Sequence, residues 1–270
     1  VITSAAQAGT VQEDNILIAT GTVVATDVDY DATMTYSGNA DGTYGSFAVN
    51  ASTGVWTYAL NNAAQQNLAQ GESHSETFNV TVTDDKGATA IQAVVMTITG
   101  SNDAPVITSA AQAGAVQEDS ALTATGTVVS TDVDHLAIAT YSGNTVGTYG
   151  SFAVNASSGV WTYALDNGIA NVQALAAGEH ASDSFVVRVT DDQGAFVDHA
   201  VTVDLTGSND AAIISGSRTG VVTEDTAPIT TGTLTVVDVD HGQAVFQAQT
   251  GVAGSYGSFS IGVDGNWTYA

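Results

Sequence analysis

Short runs in which apolar and polar residues alternate recur along the whole chain. Phe78, Val80 and Val82 alternate with threonine and asparagine residues. A second run of the same kind contains Val94 and Ile98. A period of two is typical of a β-strand that buries one face and exposes the other. Valine, threonine, isoleucine and aromatic residues dominate these runs, and they suit a pleated surface. The pattern predicts an all-β protein.

One stretch has the pattern of a β-hairpin. Residues 46–49 and 55–58 are apolar-rich runs that flank the turn-like segment 50–54, and Gly54 is suited to a positive φ. The only segment whose composition suits a helix is residues 61–70, for which we expect one short helical turn. About seven strands in roughly 100 residues, with turn signals between them, are typical of an immunoglobulin-like β-sandwich.

Long segments of the chain occur twice. VITSAAQAGTVQED at residues 1–14 returns as VITSAAQAGAVQED at 106–119, and TYGSFAVNASTGVWTYAL at 43–60 returns as TYGSFAVNASSGVWTYAL at 148–165. A third, more divergent copy follows the second SNDA phrase at 208–211 and is shorter than the others. Such repetition indicates tandem domains. We expect repeat 1 at residues 1–103, repeat 2 at 104–210 and a truncated repeat 3 at 211–270.

Each copy has one tryptophan at the same place, namely Trp56, Trp161 and Trp267. We interpret these residues as core aromatics. A platform on which a ligand stacks is the alternative interpretation.

The chain is strongly acidic, with 28 acidic and 3 basic residues and a net charge of −25. It is not a disordered acidic tail, because 44% of its residues are hydrophobic and this supplies apolar side chains for cores. This charge argues against nucleic acid and anionic lipid as partners, since phosphate contacts need lysine and arginine. Cations are the partners that this charge favours. The absence of cysteine is compatible with secretion and does not assign a compartment.

No apolar run approaches the length of a membrane-spanning helix, so we expect no membrane insertion. The first residues lack a basic segment followed by an apolar one, so we expect any export signal to lie elsewhere.

The acidic residues recur at fixed places, at predicted strand ends and loops. Repeat 1 has Glu13-Asp14, Asp27-Val28-Asp29, Gly71-Glu72, Thr83-Asp84-Asp85 and Ser101-Asn102-Asp103, and repeat 2 has the same five motifs. Ca²⁺ takes six to eight oxygen ligands from carboxylates and carbonyls, and loops at the poles of a sandwich are suitable places to collect them. The alternative is a solvated acidic surface with Asx turns.

The order of these motifs resembles that of cadherin repeats and of the bacterial VCBS and cadherin-like modules of large, RTX-type biofilm adhesins. Ala25-Thr26-Asp27-Val28-Asp29 resembles the A-T-D-x-D element, Thr83-Asp84 with Gly87 resembles A-x-D followed by glycine, and Asn102-Asp103-Ala104-Pro105 resembles the N-D-N-x-P linker. Thr53-Gly54, Leu60 and Glu72 resemble the stretch from a T-G turn to an L-D-R-E element. The resemblance covers essentially the whole chain and implies tandem calcium-binding sandwiches.

The resemblance also implies calcium ligands at the junctions between repeats. The first junction would use Glu13, Glu72, Asn102, Asp103, Asp132, Asp134 and Asp191. The second junction would use Glu118, Glu179, Asn209, Asp210, Asp238 and Asp240, while Asp27, Asp29 and Asp84 would face a preceding domain. Gly100 and Gly207 replace the leading aspartate of the linker, and Gln70 and Ala177 replace the aspartate of the L-D-R-E element. Fewer ions per junction or weaker binding are therefore expected.

Other sites fit less well. Asp27-x-Asp29-x-Asp31 is not an EF-hand, because Ala32 stands where that loop needs glycine. The five histidines form no recognisable arrangement with a nucleophilic serine, and the chain has no cysteine, so we expect no enzyme.

The resemblance implies a calcium-rigidified extender of a secreted bacterial cell-surface adhesin. Its partners would be neighbouring repeats and a cell-surface or matrix ligand. The alternative is a module that binds carbohydrate or a second copy of itself.

Overall fold

The structure, a computed structural model, describes residues 1–270. Repeat 1 is built of short strands joined by tight turns. Its strands are β1 (Gln7–Gln12), β2 (Ile18–Thr22), β3 (Met34–Ser37), β4 (Ala40–Asp41), β5 (Gly45–Val49), β6 (Val55–Leu60), β7 (Ser73–Asp84) and β8 (Thr89–Thr99). One 3₁₀ turn, Asn62–Ala64, lies where the sequence favours a short turn.

These strands form two sheets, in the orders β1-β8-β7-β3 and β2-β6-β5-β4. β1 runs parallel to β8, and the other neighbours are antiparallel. The predicted hairpin is confirmed, since β5 pairs with β6 and Gly54 has a φ of 69°. The two sheets meet in one core, where the rings of Phe47 and Phe78 stack with their centroids 4.7 Å apart. The all-β sandwich prediction is confirmed.

Repeat 2 has the same arrangement. Its elements are β9 (Val106–Ile107), β10 (Gln112–Gln117), β11 (Thr123–Thr127), β12 (Ser130–Thr131), β13 (Thr140–Ser142), β14 (Thr145–Val146), β15 (Gly150–Val154), β16 (Val160–Leu165), α1 (Ala170–Gln173), β17 (His180–Thr190) and β18 (Phe196–Thr206). The sheets have the orders β10-β18-β17-β13 and β11-β16-β15-β14, with β9 and β12 as a separate pair. β10 runs parallel to β18, as β1 does to β8.

Residues 211–270 form a single five-stranded sheet instead of a sandwich. Its strands are β19 (Ile213–Gly216), β20 (Thr230–Val237), β21 (Gln249–Ala253), β22 (Ser258–Ile261) and β23 (Asn266–Tyr269), in the order β19-β20-β23-β22-β21. No helix of the chain is long and apolar enough to span a membrane.

The chain divides into two compact units. The first contains residues 1–108, 130–140 and 189–197, and the second contains residues 109–129, 141–188 and 198–270. Each unit therefore includes segments that lie far apart in the sequence.

Each tryptophan is buried and packs against a glycine of the neighbouring strand in the same sheet. Trp56, Trp161 and Trp267 are 1%, 0% and 7% exposed, so the interpretation as a core aromatic is correct and a ligand platform is excluded for the first two. A Cβ at Gly126 would lie 2.5 Å from Cζ2 of Trp161, far inside contact distance, and Gly21 has the same relation to Trp56. The glycine of each Thr-Gly-Thr phrase thus makes room for the indole ring.

We expect Gly126→Ala to destabilise the chain by about 1–3 kcal/mol, because the added methyl group overpacks the core against Trp161. Gly168→Ala is the matched control, because the nearest atom to its Cβ would lie at an ordinary 3.8 Å. Native-state hydrogen exchange of β16 measures the difference. Equal protection of β16 in the two variants would contradict the packing account.

Candidate metal centres

Glu13 lies immediately after β1 and points its side chain into the protein. The strand is prolonged by one more hydrogen bond, from the Glu13 N–H to the Thr99 carbonyl at 3.2 Å, and the next residue, Asp14, turns the chain with a φ of 55°. The Glu13 side chain is fully buried, and its Oε1 accepts the Ser101 N–H at 3.0 Å. Its carboxylate is therefore held beside the segment that follows β8.

That segment brings carboxylates of repeat 2 to Glu13. The Asp103 N–H donates to Oδ2 of Asp134 at 3.0 Å, and the Asp134 N–H donates to Oδ1 of Asp132 at 3.1 Å. One carboxylate oxygen each from Glu13, Asp103 and Asp134 lie within 4.8 Å of one another. We call Glu13, Asp103, Asp132 and Asp134 the first cluster. All four lie in the first compact unit.

Asn102 and Asp191 lie at the side of the first cluster. The Asn102 Nδ2 donates to Oδ2 of Asp191 at 2.9 Å. Oδ1 of Asp191 accepts three backbone N–H groups, from Gln193, Gly194 and Ala195, so the loop after β17 is folded around this carboxylate.

Four carboxylate oxygens of the first cluster are buried without a hydrogen-bond partner. They are Oε2 of Glu13, Oδ2 of Asp103, Oδ2 of Asp132 and Oδ1 of Asp134. A buried charged oxygen that is left unpaired is strongly unfavourable, so such groups are normally paired or coordinate a metal ion. Converging oxygens with no nitrogen or sulfur among them suit a hard divalent cation. The residues present therefore fit a metal ion of this kind.

The electrostatics agree with this assignment. Burial raises the pKa of Glu13, and the Asp103, Asp14 and Asp134 carboxylates raise it further, against the Ser101 N–H. Burial likewise raises the pKa of Asp103 and of Asp134, with the neighbouring aspartates adding to it. Each of these groups is thus in a place that disfavours its negative charge, which a bound cation would reverse.

A second cluster consists of Glu118, Asp119, Asp210 and Asp240, all in the second compact unit. One carboxylate oxygen each from Glu118, Asp119 and Asp210 lie within 4.8 Å of one another. The Asp210 N–H donates to Oδ2 of Asp240 at 3.0 Å, as Asp103 does to Asp134, and the Asp240 N–H donates to Oδ1 of Asp238. Oδ2 of Asp210 and Oδ1 of Asp240 are buried and unpartnered.

The two clusters differ at the glutamate. Oε2 of Glu118 accepts the Ser208 N–H at 3.0 Å, and its Oε1 accepts Nε2 of Gln173, from α1, at 2.8 Å. Both oxygens of Glu118 are therefore paired, whereas Oε2 of Glu13 is not. Burial still raises the pKa of Glu118 and of Asp210.

Several residues predicted as ligands make other contacts. Glu72 pairs with Nδ1 of His135 at 3.0 Å, which lowers the pKa of Glu72. The equivalent Glu179 accepts the Ala176 N–H and also pairs with Nδ1 of His241 at 3.3 Å. Both contacts lower the pKa of Glu179.

Asn209 donates to the Asp210 carbonyl within the linker. At the other pole of repeat 1, Asp27 accepts the Asp29 N–H, and Asp84 accepts the N–H groups of Lys86 and Ala88. The structure thus places Asp27 and Asp29 in the loop after β2 and Asp84 at the end of β7, apart from the two clusters.

The sequence prediction missed three kinds of participant. Asp119 is a member of the second cluster, and the repeated Glu-Asp pair was the signal that could have found it. His135 and His241 follow the repeated Asp-Val-Asp motif, which is also visible in the sequence. The contact between Gln173 and Glu118 has no signal in the sequence.

The parallel first strand, the two facing sheets and the carboxylates at their poles define a cadherin-like β-sandwich protein. The sequence profile of the bacterial cadherin-like domain matches residues 2–100 and 102–207. The chain therefore belongs to the bacterial cadherin-like domain family. No curated protein sequence matches it.

Solved structures show the same fold. The chain PcdhgB3 EC1-4 aligns with a TM-score of 0.54 at 15% identity, over 99% of this chain and 66% of that one. Mouse cadherin-23 EC22-24 aligns with a TM-score of 0.52 at 19% identity, over 98% of this chain and 84% of that one. Extracellular cadherin domains 1–5 of protocadherin gamma B2 align with a TM-score of 0.54 at 17% identity, over 100% of this chain and 52% of that one.

We expect Glu13→Gln to change the pH dependence of stability in the presence of a chelator. The raised pKa of Glu13 means that the folded protein keeps a proton that the unfolded chain has lost, so its contribution to the free energy of unfolding falls as the pH rises through that pKa. Glutamine does not titrate. The melting temperature of the variant should therefore rise relative to that of the wild type as the pH rises above the ordinary range of a glutamate pKa.

Calorimetry at a series of pH values from acidic to neutral, in chelator, measures the difference in melting temperature. Asp198→Asn is the control, and its stability relative to the wild type should change with pH in the opposite direction, since Arg188 lowers the pKa of Asp198. A wild-type advantage that grows toward neutral pH would contradict the account of Glu13.

Proposed function

We propose that this chain is a calcium-rigidified structural segment of a large secreted bacterial surface adhesin, in which repeats act as extenders. The observation that supports it most is the convergence of buried, unpartnered carboxylate oxygens where repeat 1 meets repeat 2. Membership of the bacterial cadherin-like family supports an extracellular adhesive or structural role.

Calcium is the ion that the donor set favours. The first cluster offers only oxygen, which argues against zinc, since zinc sites in proteins are rich in cysteine and histidine. Magnesium demands a small octahedron and retains its waters, so a dense group of carboxylates from three chain segments suits it poorly. In the first cluster Glu13, Asp103, Asp132 and Asp134 would hold the ion.

Asn102 and Asp191 lie beside this first cluster and are joined to each other, so they would complete or orient its ligand set. In the second cluster Glu118, Asp119, Asp210 and Asp240 would hold the ion, with Asp238 orienting Asp240.

The residues of each cluster come from consecutive repeats, which is what a junction lock requires. Glu13 belongs to repeat 1, Asp103 ends it, and Asp132 and Asp134 belong to repeat 2. A calcium ion supplies a double positive charge that attracts all of these carboxylates at once. Without it they repel, by about 1 kcal/mol for two charges 4 Å apart in water and by more where water is excluded. We therefore infer that the ion fixes the junction between repeats.

The repetition favours an extender over a module that binds one ligand. Residues 43–60 and 148–165 differ at one position out of eighteen, so the two sandwiches present nearly the same strands and turns. A spacer gains length from interchangeable copies. Trp56 and Trp161 are buried and are not available to stack on a carbohydrate.

We expect the chain to bind Ca²⁺ with a dissociation constant of roughly 10⁻⁵ to 10⁻³ M, the range of extracellular modules. Isothermal calorimetry measures it directly, with Mg²⁺ at the same concentrations as the control. Absence of a calcium-dependent heat together with unchanged melting in chelator would refute the assignment.

We expect Asp132→Asn with Asp134→Asn to abolish calcium binding at the first cluster and to leave that junction loose. The matched control is Asp27→Asn with Asp29→Asn, which alters the same Asp-Val-Asp motif in repeat 1 away from the cluster. Small-angle scattering with and without calcium, on the wild type and both variants, measures the maximum dimension and flexibility. The melting of repeat 1 should change little in the cluster variant. A wild-type scattering curve that is the same with and without calcium would rule out a junction lock.

A further inference from the structure

Residues 167 and 168 form the only Asn-Gly pair in the chain, and they lie in the turn between β16 and α1. The backbone nitrogen that follows an asparagine can attack the side-chain carboxamide, and glycine favours this attack because it has no Cβ to hinder closure of the five-membered ring. Gly168 is exposed, and the nearest atom to a Cβ built on it would be Oδ1 of Asp166 at 3.8 Å. The surroundings of the attacking nitrogen are therefore open.

The carboxamide that would be attacked is held in place by Asp119. The Asp119 N–H donates to Oδ1 of Asn167 at 3.0 Å, and Nδ2 of Asn167 donates to Oδ1 of Asp119 at 2.7 Å. A backbone N–H at an oxygen on which negative charge develops stabilises the tetrahedral intermediate of acyl transfer. The Asp119 N–H is placed to act in this way on the carboxamide carbon, Cγ of Asn167.

The attacking nitrogen has a partner of its own. The Gly168 N–H donates to Oδ1 of Asp166 at 3.3 Å. A carboxylate that accepts the proton of a nucleophile acts as a general base. The nucleophile, the oxygen of the carboxamide and its leaving nitrogen are thus each in contact with Asp166 or Asp119, and all of these residues lie in the second compact unit.

We propose that Asn167 is a self-modification site, at which the chain converts its own carboxamide into a carboxylate. The Gly168 nitrogen forms a bond to Cγ of Asn167 and passes its proton through Asp166 to solvent. The bond from Cγ to Nδ2 breaks, and Nδ2 takes up a proton from solvent and leaves as ammonia. Water then opens the succinimide ring at either of its carbonyl carbons, so that residue 167 becomes aspartate or isoaspartate. No oxidant, metal ion or second protein is required.

Repeat 1 contains the same held carboxamide without the reactive neighbours. The Asp14 N–H donates to Oδ1 of Asn62 at 2.9 Å, and Nδ2 of Asn62 donates to Oδ1 of Asp14 at 2.7 Å. However, Ala63 stands in the place of Gly168 and Asn61 in the place of Asp166, and Asn62 begins a 3₁₀ turn. We therefore expect Asn167 to react and Asn62 to persist in the same molecule.

The product would change the second cluster, and this consequence, unlike the modification itself, rests on the proposed function. One carboxylate oxygen of Asp119 lies within 4.8 Å of one each from Glu118 and Asp210. The reaction replaces an N–H donor to Asp119 with a further carboxylate at this place. The affinity of an oxygen site for Ca²⁺ rises with the number of its charged ligands. The modified chain should therefore bind calcium more tightly at the second cluster.

Incubation of the full chain for days in chelator at mildly alkaline pH tests the modification. Peptide mapping by mass spectrometry should show aspartate and isoaspartate at residue 167, with heavy oxygen incorporated from labelled water, and unchanged Asn62. Gly168→Ala and Asp166→Asn should each slow the conversion by roughly tenfold or more, because they hinder the nucleophile and remove its base. Asp204→Asn is the charge-matched control, since Asp204 is exposed on β18 and makes no contact with Asn167, and its rate should equal that of the wild type.

Two results of this measurement would overturn the modification site. Conversion of Asn62 as fast as that of Asn167 would show that the neighbours of the carboxamide are irrelevant. An unchanged rate in Asp166→Asn would show that the pair of Asn167 with Asp119 is purely structural.

Calorimetry with Ca²⁺ alone tests the consequence for the second cluster, on a background of Asp132→Asn with Asp134→Asn that removes the first cluster. Asn167→Asp should tighten binding by roughly fivefold or more, because it adds a charge beside the ion. Asn155→Asp is the control, since an aspartate there can accept the same N–H groups of Ser157 and Ser158 in a turn. Equal affinities would overturn the change at the second cluster. Absence of calcium binding in every chain, the unmutated one included, would overturn the proposed function, while the mass measurement would still decide the modification.

Discussion

Uncompensated negative charge at the places where repeats meet is the constraint on which the rest of this molecule depends. The chain has three basic side chains, and none lies in either cluster. Lys86 pairs with Asp85, Arg188 forms a bidentate pair with Asp198, and Arg218 donates to the Ile214 carbonyl in repeat 3. The protein therefore provides no internal counter-charge for Glu13, Asp103 or Asp134. A proton or a cation from outside would relieve the unfavourable burial of these charges.

The sandwiches themselves are stabilised in a different way. Trp161 fills the space left by Gly126, and Phe152 stacks on Phe185 with centroids 4.6 Å apart, so repeat 2 has an apolar core of its own. Its buried polar group, Asp183, is fully paired by two N–H groups and a hydroxyl. Because each core is complete without the junction, the carboxylate clusters can be specialised for position and not for folding.

The sequence predicted the parts of the structure that local rules determine. Alternation of apolar residues predicted the strands, Gly54 predicted the hairpin turn, and the fixed places of Asp103 and Asp134 predicted that carboxylates collect near the linker. The partner of the Glu72 side chain could not be predicted in this way. Its pairing with His135 depends on where the chain after the Asp-Val-Asp motif runs, which is a consequence of tertiary packing. The single-sheet form of residues 211–270 was foreseeable only as a missing set of strands, while the positioning of Gly220 over Trp267 was not.

Near-identical repeats do not make identical junctions, because each cluster combines the end of one repeat with loops of the next. Glu13 and Glu118 occupy the same place in identical motifs, yet Gln173 reaches only Glu118. The difference originates in residues 166–179, where repeat 2 has its two extra residues and forms α1, whereas repeat 1 forms a 3₁₀ turn. A two-residue insertion shortly before the Gly178-Glu179 motif thus accompanies the pairing of a glutamate oxygen that is unpaired in the other cluster. Interchangeability of repeats therefore resides in their strands and cores, and the chemical character of each junction is set by the loops that happen to meet there.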